Sequence, residues 1–354
     1  MIDWERAFAT VPREHFIPDE IYERTEGNQH ITIRRHREPE RWRELVESDV
    51  PVITQLNDGR ETDGSLVSSS SSMPSVMKSM LYALEAEAGD TVLEIGTGTG
   101  WNAALLSTAC TVTTVEVDTI LAEQARKRLR AYDVAVIAGD GTHGYPGNAP
   151  YDRILSTASV TNAVPYEWIE QTAPGGRIVV PWGTDFLATP LLRMTAHGDG
   201  TASGTFDGQA DFMQLRDRRI PREIPEREND PYTESTTDLH PYYAVGDLDG
   251  SAFAVSLFLS DVQYNALDVN DEQKYELLLW DRARSSWATV GIGEPGAHPV
   301  RRHGPRDIWK EIEAAVEFWA AHGKPRYTRF GVMVTPERQW VYLDDPANEV
   351  NTLR

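Results

Sequence analysis

Glycines alternate over five positions, Gly96, Gly98 and Gly100, and what flanks them constrains the fold more than they do. Val92-Leu93-Glu94-Ile95 reads as a short buried strand interrupted by one acid, and Asn102-Ala103-Ala104-Leu105-Leu106 opens a helix. Strand, glycine loop and helix start together bring a ligand against backbone N–H groups. In a G-x-G-x-x-G register the third glycine falls on Trp101, which disfavours a dinucleotide. Glu94, two residues before the first glycine, suits instead a carboxylate placed near the cationic methionine end of S-adenosylmethionine. The loop alone does not decide between the two cofactors. Its neighbours do.

Thr111–Val115 reads as a second strand ending at Glu116, about twenty residues after the loop, where an acid accepts ribose hydroxyls. A third apolar run, 134–138, ends in Gly139-Asp140-Gly141, placing an acid and a backbone N–H for an adenine. The competing reading makes Glu116 and Asp140 plain helix caps. Three successive strand ends, each offering a group to one part of a nucleoside, favour the cofactor. The predicted set is Glu94, Gly96, Thr97, Gly98, Gly100, Glu116, Val117, Asp140 and Gly141.

A chain of 354 residues with a net charge of −21 has room for two cores and lacks the basic face that a nucleic-acid backbone requires. The single cysteine, Cys110, forbids an intrachain disulfide and fits a reducing compartment. No apolar run reaches the length of a membrane span, so a soluble cytoplasmic protein without a membrane partner is expected. His30, His36 and Glu38 match no standard metal spacing, and no metal is expected.

Residues 1–75 form a substrate-side segment with an insertion at about 27–65. Within it, Arg34-Arg35-His36-Arg37 reads as a solvated face, with contact to an acidic peptide as the sharper alternative. The serine run Ser68–Ser72, alone, reads as linker. Its place directly before a helix at 76–84 favours a carboxylate-holding role, with Ser70, Ser71 and Ser72 as candidates. Residues 76–216 are the cofactor-binding core. Strands at 151–156 and 177–181 extend a doubly wound, mainly parallel α/β sheet of the Rossmann-like methyltransferase kind, and 191–195 and 212–215 complete it. A charged, proline-bearing linker spans 217–241. Residues 242–354 form a smaller C-terminal α+β unit: a strand at 253–259, a hairpin at 275–280 and 287–292, a helix capped by Asp307, and a hairpin at 330–334 and 340–343. Its tryptophans read as core rather than as a peptide-binding surface.

Positions 1 to about 216 resemble the protein-L-isoaspartate O-methyltransferase family. The pieces that carry the likeness are Val11–Pro18, Ser72-Met73-Pro74, Val92–Gly100, Gly139-Asp140-Gly141 with Gly144-Tyr145, Ala149–Asp152 and Ala173–Pro181. The resemblance implies S-adenosylmethionine bound by the acid and glycine sites, and a substrate carboxylate held at Ser72. Where the family has Ser-Ala-Pro-His, this chain has Ser72-Met73-Pro74-Ser75. That departure, the insertion and the C-terminal unit resemble divergent homologues associated with ribosomally made peptides, including lanthipeptide and graspetide systems. The expectation is methylation of an aspartate in a modified, macrocyclic peptide, whose ester collapses to an aspartimide. The alternative is repair of isoaspartate in damaged proteins; a cofactor-binding protein without catalysis is a third reading. The partner is thus a peptide or protein bearing Asp or isoAsp.

Overall fold

A computed structural model describes residues 2–25, 29–62, 64–269 and 274–353. The chain starts with α1 (Trp4–Thr10), whose first turn is capped by Asp3 accepting from the Arg6 N–H. Next come β1 (Glu20–Arg24), β2 (His30–Arg34), α2 (Pro39–Glu47), β3 (Val52–Leu56) and β4 (Val67–Ser71). The four strands pair antiparallel in the order β2-β1-β3-β4. Helix α2 buries Trp42 and Val46 against Ile21, Ile33 and Val52 of this sheet. The serine run is therefore an edge strand, not a linker, because β3 supplies a partner that its composition does not advertise. Residues 26–28 and 63 of the expected insertion lie outside the described residues.

The cofactor core follows with α3 (Pro74–Leu84), β5 (Thr91–Ile95), α4 (Trp101–Leu106), β6 (Thr111–Glu116), α5 (Thr119–Arg128), β7 (Val134–Ala138), β8 (Tyr151–Ser156), β9 (Val160–Thr161), α6 (Tyr166–Glu170) and β10 (Thr172–Gly183). Strands β10-β8-β5-β6-β7 pair in parallel. Val92, Leu93, Ile154, Leu155, Ile178 and Val179 are fully buried, as central strands covered on both faces should be. This topology aligns the C-terminal ends of β5, β6 and β7, where ligands of open α/β sheets bind.

Beyond β10 the sheet turns antiparallel. β11 (Ala188–Ala196) pairs β10, and β12 (Ala202–Gln209) pairs β11. The strand expected at 212–215 is instead an extended segment held to Ser159: Leu215 N–H donates to the Ser159 carbonyl, and Ser159 N–H to that of Met213. After it come β13 (Thr233–Thr237), inside the expected linker, then α7 (Tyr242–Val245) and α8 (Phe253–Phe258). The strand expected at 253–259 is thus a helix. Its residues are nearly all apolar, and in so short a run no polar face reveals the period. Tertiary packing decides, with Phe253 meeting Phe206 and Phe330 at ring distances of 5.0 and 5.2 Å.

Strands β14 (Val262–Val269), β15 (Lys274–Asp281), β16 (Trp287–Gly291) and β17 (His298–His303) form a second antiparallel sheet with β13, in the order β13-β17-β16-β15-β14. Helix α9 (Ile308–Ala321) is capped by Asp307 accepting from Lys310 N–H, as its sequence predicts, and buries Ile308 and Ile312. The last strands, β18 (Phe330–Val334), β19 (Gln339–Leu343) and β20 (Glu349–Leu353), return to the main sheet, where β18 pairs β12. Residues 330–353 therefore share one sheet and one apolar core with the cofactor half, rather than closing a separate unit from 242. Periodicity identifies strands but not which sheet adopts them. Among the described residues, no helix is long and apolar enough to cross a membrane, and no group of three or more His, Cys, Asp and Glu is placed to hold a metal ion.

Candidate active site

The ends of β5, β6 and β7 open into one cleft, lined by Ile95, Val115, Glu116 and Asp140 together with the loop that follows β5. One wall is the glycine loop. Gly96 has φ +93°, and a Cβ there would meet Thr157 Oγ1 at 2.7 Å, so only glycine keeps this turn open. Gly98, at φ +52°, donates its N–H to Glu116 Oε2 at 2.8 Å. A Cβ on Gly98 would sit 3.7 Å from the Ser70 carbonyl oxygen, so the loop and the serine strand face each other with room for little more than that one carbon between them. Thr97, Val117, Asp140 and Gly141 join the same lining, as do Ser70, Ser71 and Ser72. The cofactor-side and substrate-side candidates meet in one place.

Two predicted residues lie elsewhere. Gly100 caps α4 and backs onto Leu129, outside the lining. Glu94 is fully buried beneath the loop and does not line the cleft. Its Oε1 accepts from Asn102 Nδ2 at 2.7 Å and its Oε2 from Thr114 Oγ1 at 2.5 Å. Thr114 in turn meets Thr97 Oγ1 at 2.7 Å. Burial pushes the Glu94 carboxyl up to about 7 against these hydrogen bonds. In this geometry Glu94 props the loop from below and reaches the cleft through Asn102 and Thr97.

Glu116 is nearly buried, lines the cleft, and also accepts the Asp118 N–H at its Oε1 (3.0 Å). Burial raises its pKa, while the backbone donors at Asp118 and Gly98 and the charge of Arg216 oppose the rise. The cap of α5 is Asp118, which accepts from Ile120 and Leu121, so the capping alternative does not apply to Glu116. Asp140 does cap the turn that follows it, accepting the Thr142 N–H at 2.8 Å, and it also lines the cleft.

The serine wall depends on a residue without a sequence-level role. Arg13 lies in the Val11–Pro18 stretch and is buried. Its Nε donates to Ser71 Oγ at 3.1 Å, and its Nη2 donates to the carbonyls of Ser71 (2.8 Å), Ser72 (2.9 Å) and Val50 (2.8 Å). Burial pulls its pKa down to about 10. Trp101, at the third-glycine position, donates Nε1–H to the Val11 carbonyl at 3.1 Å and so ties this N-terminal stretch to the loop. Ser71 is thus partly committed to Arg13, which leaves Ser70 and Ser72 as the hydroxyls with no such partner among the described contacts. Arg216, Arg219 and Met213 also line the cleft; they belong to the segment after β12, where the sequence offers no motif.

The cleft fits a nucleoside cofactor on its own terms. It has a glycine cradle that a Cβ would fill, an acid at the end of β6, and the Asn102 Oδ1, a buried acceptor without a partner among the described residues.

Known proteins agree. The protein-L-isoaspartate(D-aspartate) O-methyltransferase family profile matches residues 40–220. A protein-L-isoaspartate O-methyltransferase of Thermococcus onnurineus is 43% identical over 150 residues, covering 41% of this chain and 68% of that protein. One from Thermococcus sibiricus is 36% identical over 196 residues, 54% of this chain and 74% of its own. That numbered 1 in Cupriavidus necator is 43% identical over 136 residues, 37% of this chain and 52% of its own. A solved protein-L-isoaspartate O-methyltransferase superposes over 97% of this chain and 95% of its own, with a TM-score of 0.53 and 21% identity, a likeness of fold. With the matched segment running from α2 through the cleft to Ile220, the chain belongs to the protein-L-isoaspartate(D-aspartate) O-methyltransferase family and is an S-adenosylmethionine-dependent carboxyl O-methyltransferase.

Proposed function

We propose that this enzyme methylates the carboxylate of an isoaspartyl residue in protein or peptide substrates. The observation that carries the reading is the shared cleft, which Ser70, Ser71 and Ser72 line together with Gly96, Thr97 and Gly98 of the glycine loop. S-adenosylmethionine, when bound, supplies an electrophilic methyl group that a carboxylate oxygen accepts. An isoaspartyl carboxylate is already ionised at neutral pH, so the chain needs no general base. Its residues bind, align and desolvate. Glu116 accepts the ribose hydroxyls, Asp140 and the Gly141 N–H take the adenine edge, and the loop from Gly96 to Gly98 faces the methionine half. Ser70 and Ser72 orient the substrate carboxylate, with Ser71 held by Arg13 as the fixed point of the strand.

A second reading, methylation of one aspartate in a macrocyclic ribosomal peptide with closure to an aspartimide, is favoured by Ser75 where the family carries His. The C-terminal unit does not favour it, because a solved isoaspartate methyltransferase is matched along nearly its whole length. A cytoplasmic setting agrees with a single buried cysteine whose thiol burial pushes up to about 12.

Mass spectrometry after incubation with S-adenosylmethionine separates the readings. A gain of one methyl on an isoaspartyl peptide, and none on its aspartyl isomer, is expected. Methylation followed by loss of methanol only on a cyclised aspartyl peptide would overturn the proposal.

A further inference from the structure

Behind Glu116, the proposed ribose acid, lies a closed ring of polar contacts that joins four segments of the chain. The Asp58 N–H donates to Ser68 Oγ at 2.9 Å, and Ser68 Oγ donates to Gln55 Oε1 at 2.9 Å. Gln55 Nε2 donates to Asp118 Oδ2 at 3.1 Å. Arg216 donates to the same oxygen at 3.3 Å through both terminal nitrogens, and its Nε returns to Asp58 Oδ1 at 3.2 Å. Arg219 adds a second grip on Asp58, at 3.1 Å. The ring therefore links the turn after β3, the first residue of the serine run, the cap of α5 and the segment after β12.

We propose that Arg216 is a positioning residue for the cofactor's nucleoside end, held in place by Asp58 and acting on Glu116 through Asp118. The route is short, since the Asp118 N–H donates to Glu116 Oε1. Arg216 also lines the cleft, so its charge sits beside an acid that must stay ionised to accept two hydroxyls. The charged groups around Glu116 are Glu94 from β5, Asp118 from the α5 cap and Arg216; Asp140 and Arg219 line the same cleft. Burial raises the pKa of Glu116, and Arg216 is the cation that opposes the rise. Because Asp58 lies in the turn that follows β3 of the N-terminal sheet, the sheet that carries the serine strand also sets the quality of the cofactor site.

The inference rests on the ribose role of Glu116, and one set of calorimetric titrations with S-adenosylhomocysteine tests the two apart. Arg216→Gln should weaken binding roughly tenfold near pH 8 and further as the pH is lowered to about 6, while the native enzyme changes less over that interval. Arg216→Lys keeps the charge but not the fork, and should recover the native pH profile with reduced affinity. Asp58→Asn, which removes one arm of the ring, should weaken binding in the same direction and serves if Arg216→Gln does not fold. Native affinity in both Arg216→Gln and Asp58→Asn, or equal weakening at every pH that lysine does not repair, overturns the positioning role. Glu116→Ala at native affinity would instead remove the ribose assignment, and the inference with it.

Discussion

The two walls of the cleft are built by opposite strategies. The cofactor wall is local: the Gly98 N–H and the Glu116 carboxylate that receives it lie 18 residues apart, as successive strand ends of one parallel sheet. The serine wall is assembled from afar. Arg13 reaches Ser71 across 58 residues, and Arg219 reaches Asp58 across 161. A wall set by a repeated strand–turn–helix unit inherits its geometry from the unit. A wall clamped by single buried side chains depends on each of them.

The sharpest way to break this comparison is to remove the clamp. Arg13→Ala leaves the carbonyls of Val50, Ser71 and Ser72 without their buried donor, so a loss on the order of 3 kcal/mol in unfolding free energy is expected. Arg13→Lys should recover little, since an ammonium cannot span the same acceptors. Chemical denaturation measures this. If the walls are independent, the folded fraction still binds S-adenosylhomocysteine while methyl transfer is lost; equal loss of both would show that they are one structure.

Glu94 offers the matching test on the cofactor wall. Burial lifts its carboxyl from the ordinary 4.5 to about 7, so between those values the native state holds a proton that the unfolded chain has released. Native stability should therefore fall as pH rises through that window and level off above it. The whole effect is on the order of 3 kcal/mol. Glu94→Gln, whose amide can accept from Asn102 and donate to Thr114, should flatten that slope. Thermal melts from about pH 5 to about pH 8 measure it, and an unchanged slope would mean that Glu94 stays ionised under the loop.

The same contrast explains what the sequence makes legible. Glu116, Asp140 and the glycine loop could be read because each falls at the end of an apolar run, and parallel topology collects strand ends on one edge. Glu94 reads correctly as a strand residue, but its depth beneath the loop is not legible, since spacing gives the direction of a side chain and not what seals it. Arg13, Asp58 and Arg216 are polar residues in irregular or short elements, and their partners lie dozens to more than a hundred positions away. Sheet membership fails for the same reason: β18 and β19 read as strands, while the pairing of β18 with β12 is a long-range choice. The helix at 253–258 shows the local limit, where packing on Phe206 and Phe330 overrides an ambiguous apolar run.

Glu116→Ala sharpens the cofactor wall further. Removing the acid deletes the proposed ribose acceptor and also frees the Gly98 and Asp118 N–H groups that it receives. Affinity for S-adenosylhomocysteine should drop by roughly thirtyfold, with native secondary structure retained. Unchanged affinity would assign Glu116 to the loop's architecture alone.

Ser72→Ala asks the smallest change and the cleanest question. The Ser72 carbonyl already receives Arg13, and alanine keeps that contact, so the strand should hold its place. Only the hydroxyl of this cleft-lining residue is lost. Methyl transfer should fall on the order of tenfold, through kcat or through KM for the substrate, while S-adenosylhomocysteine binds as before. A fall in cofactor affinity of the same size would move Ser72 to the cofactor side of the divide. An unchanged rate would pass the carboxylate-orienting role to Ser70, whose carbonyl already lies against the loop at Gly98 and whose own alanine variant would then carry the loss.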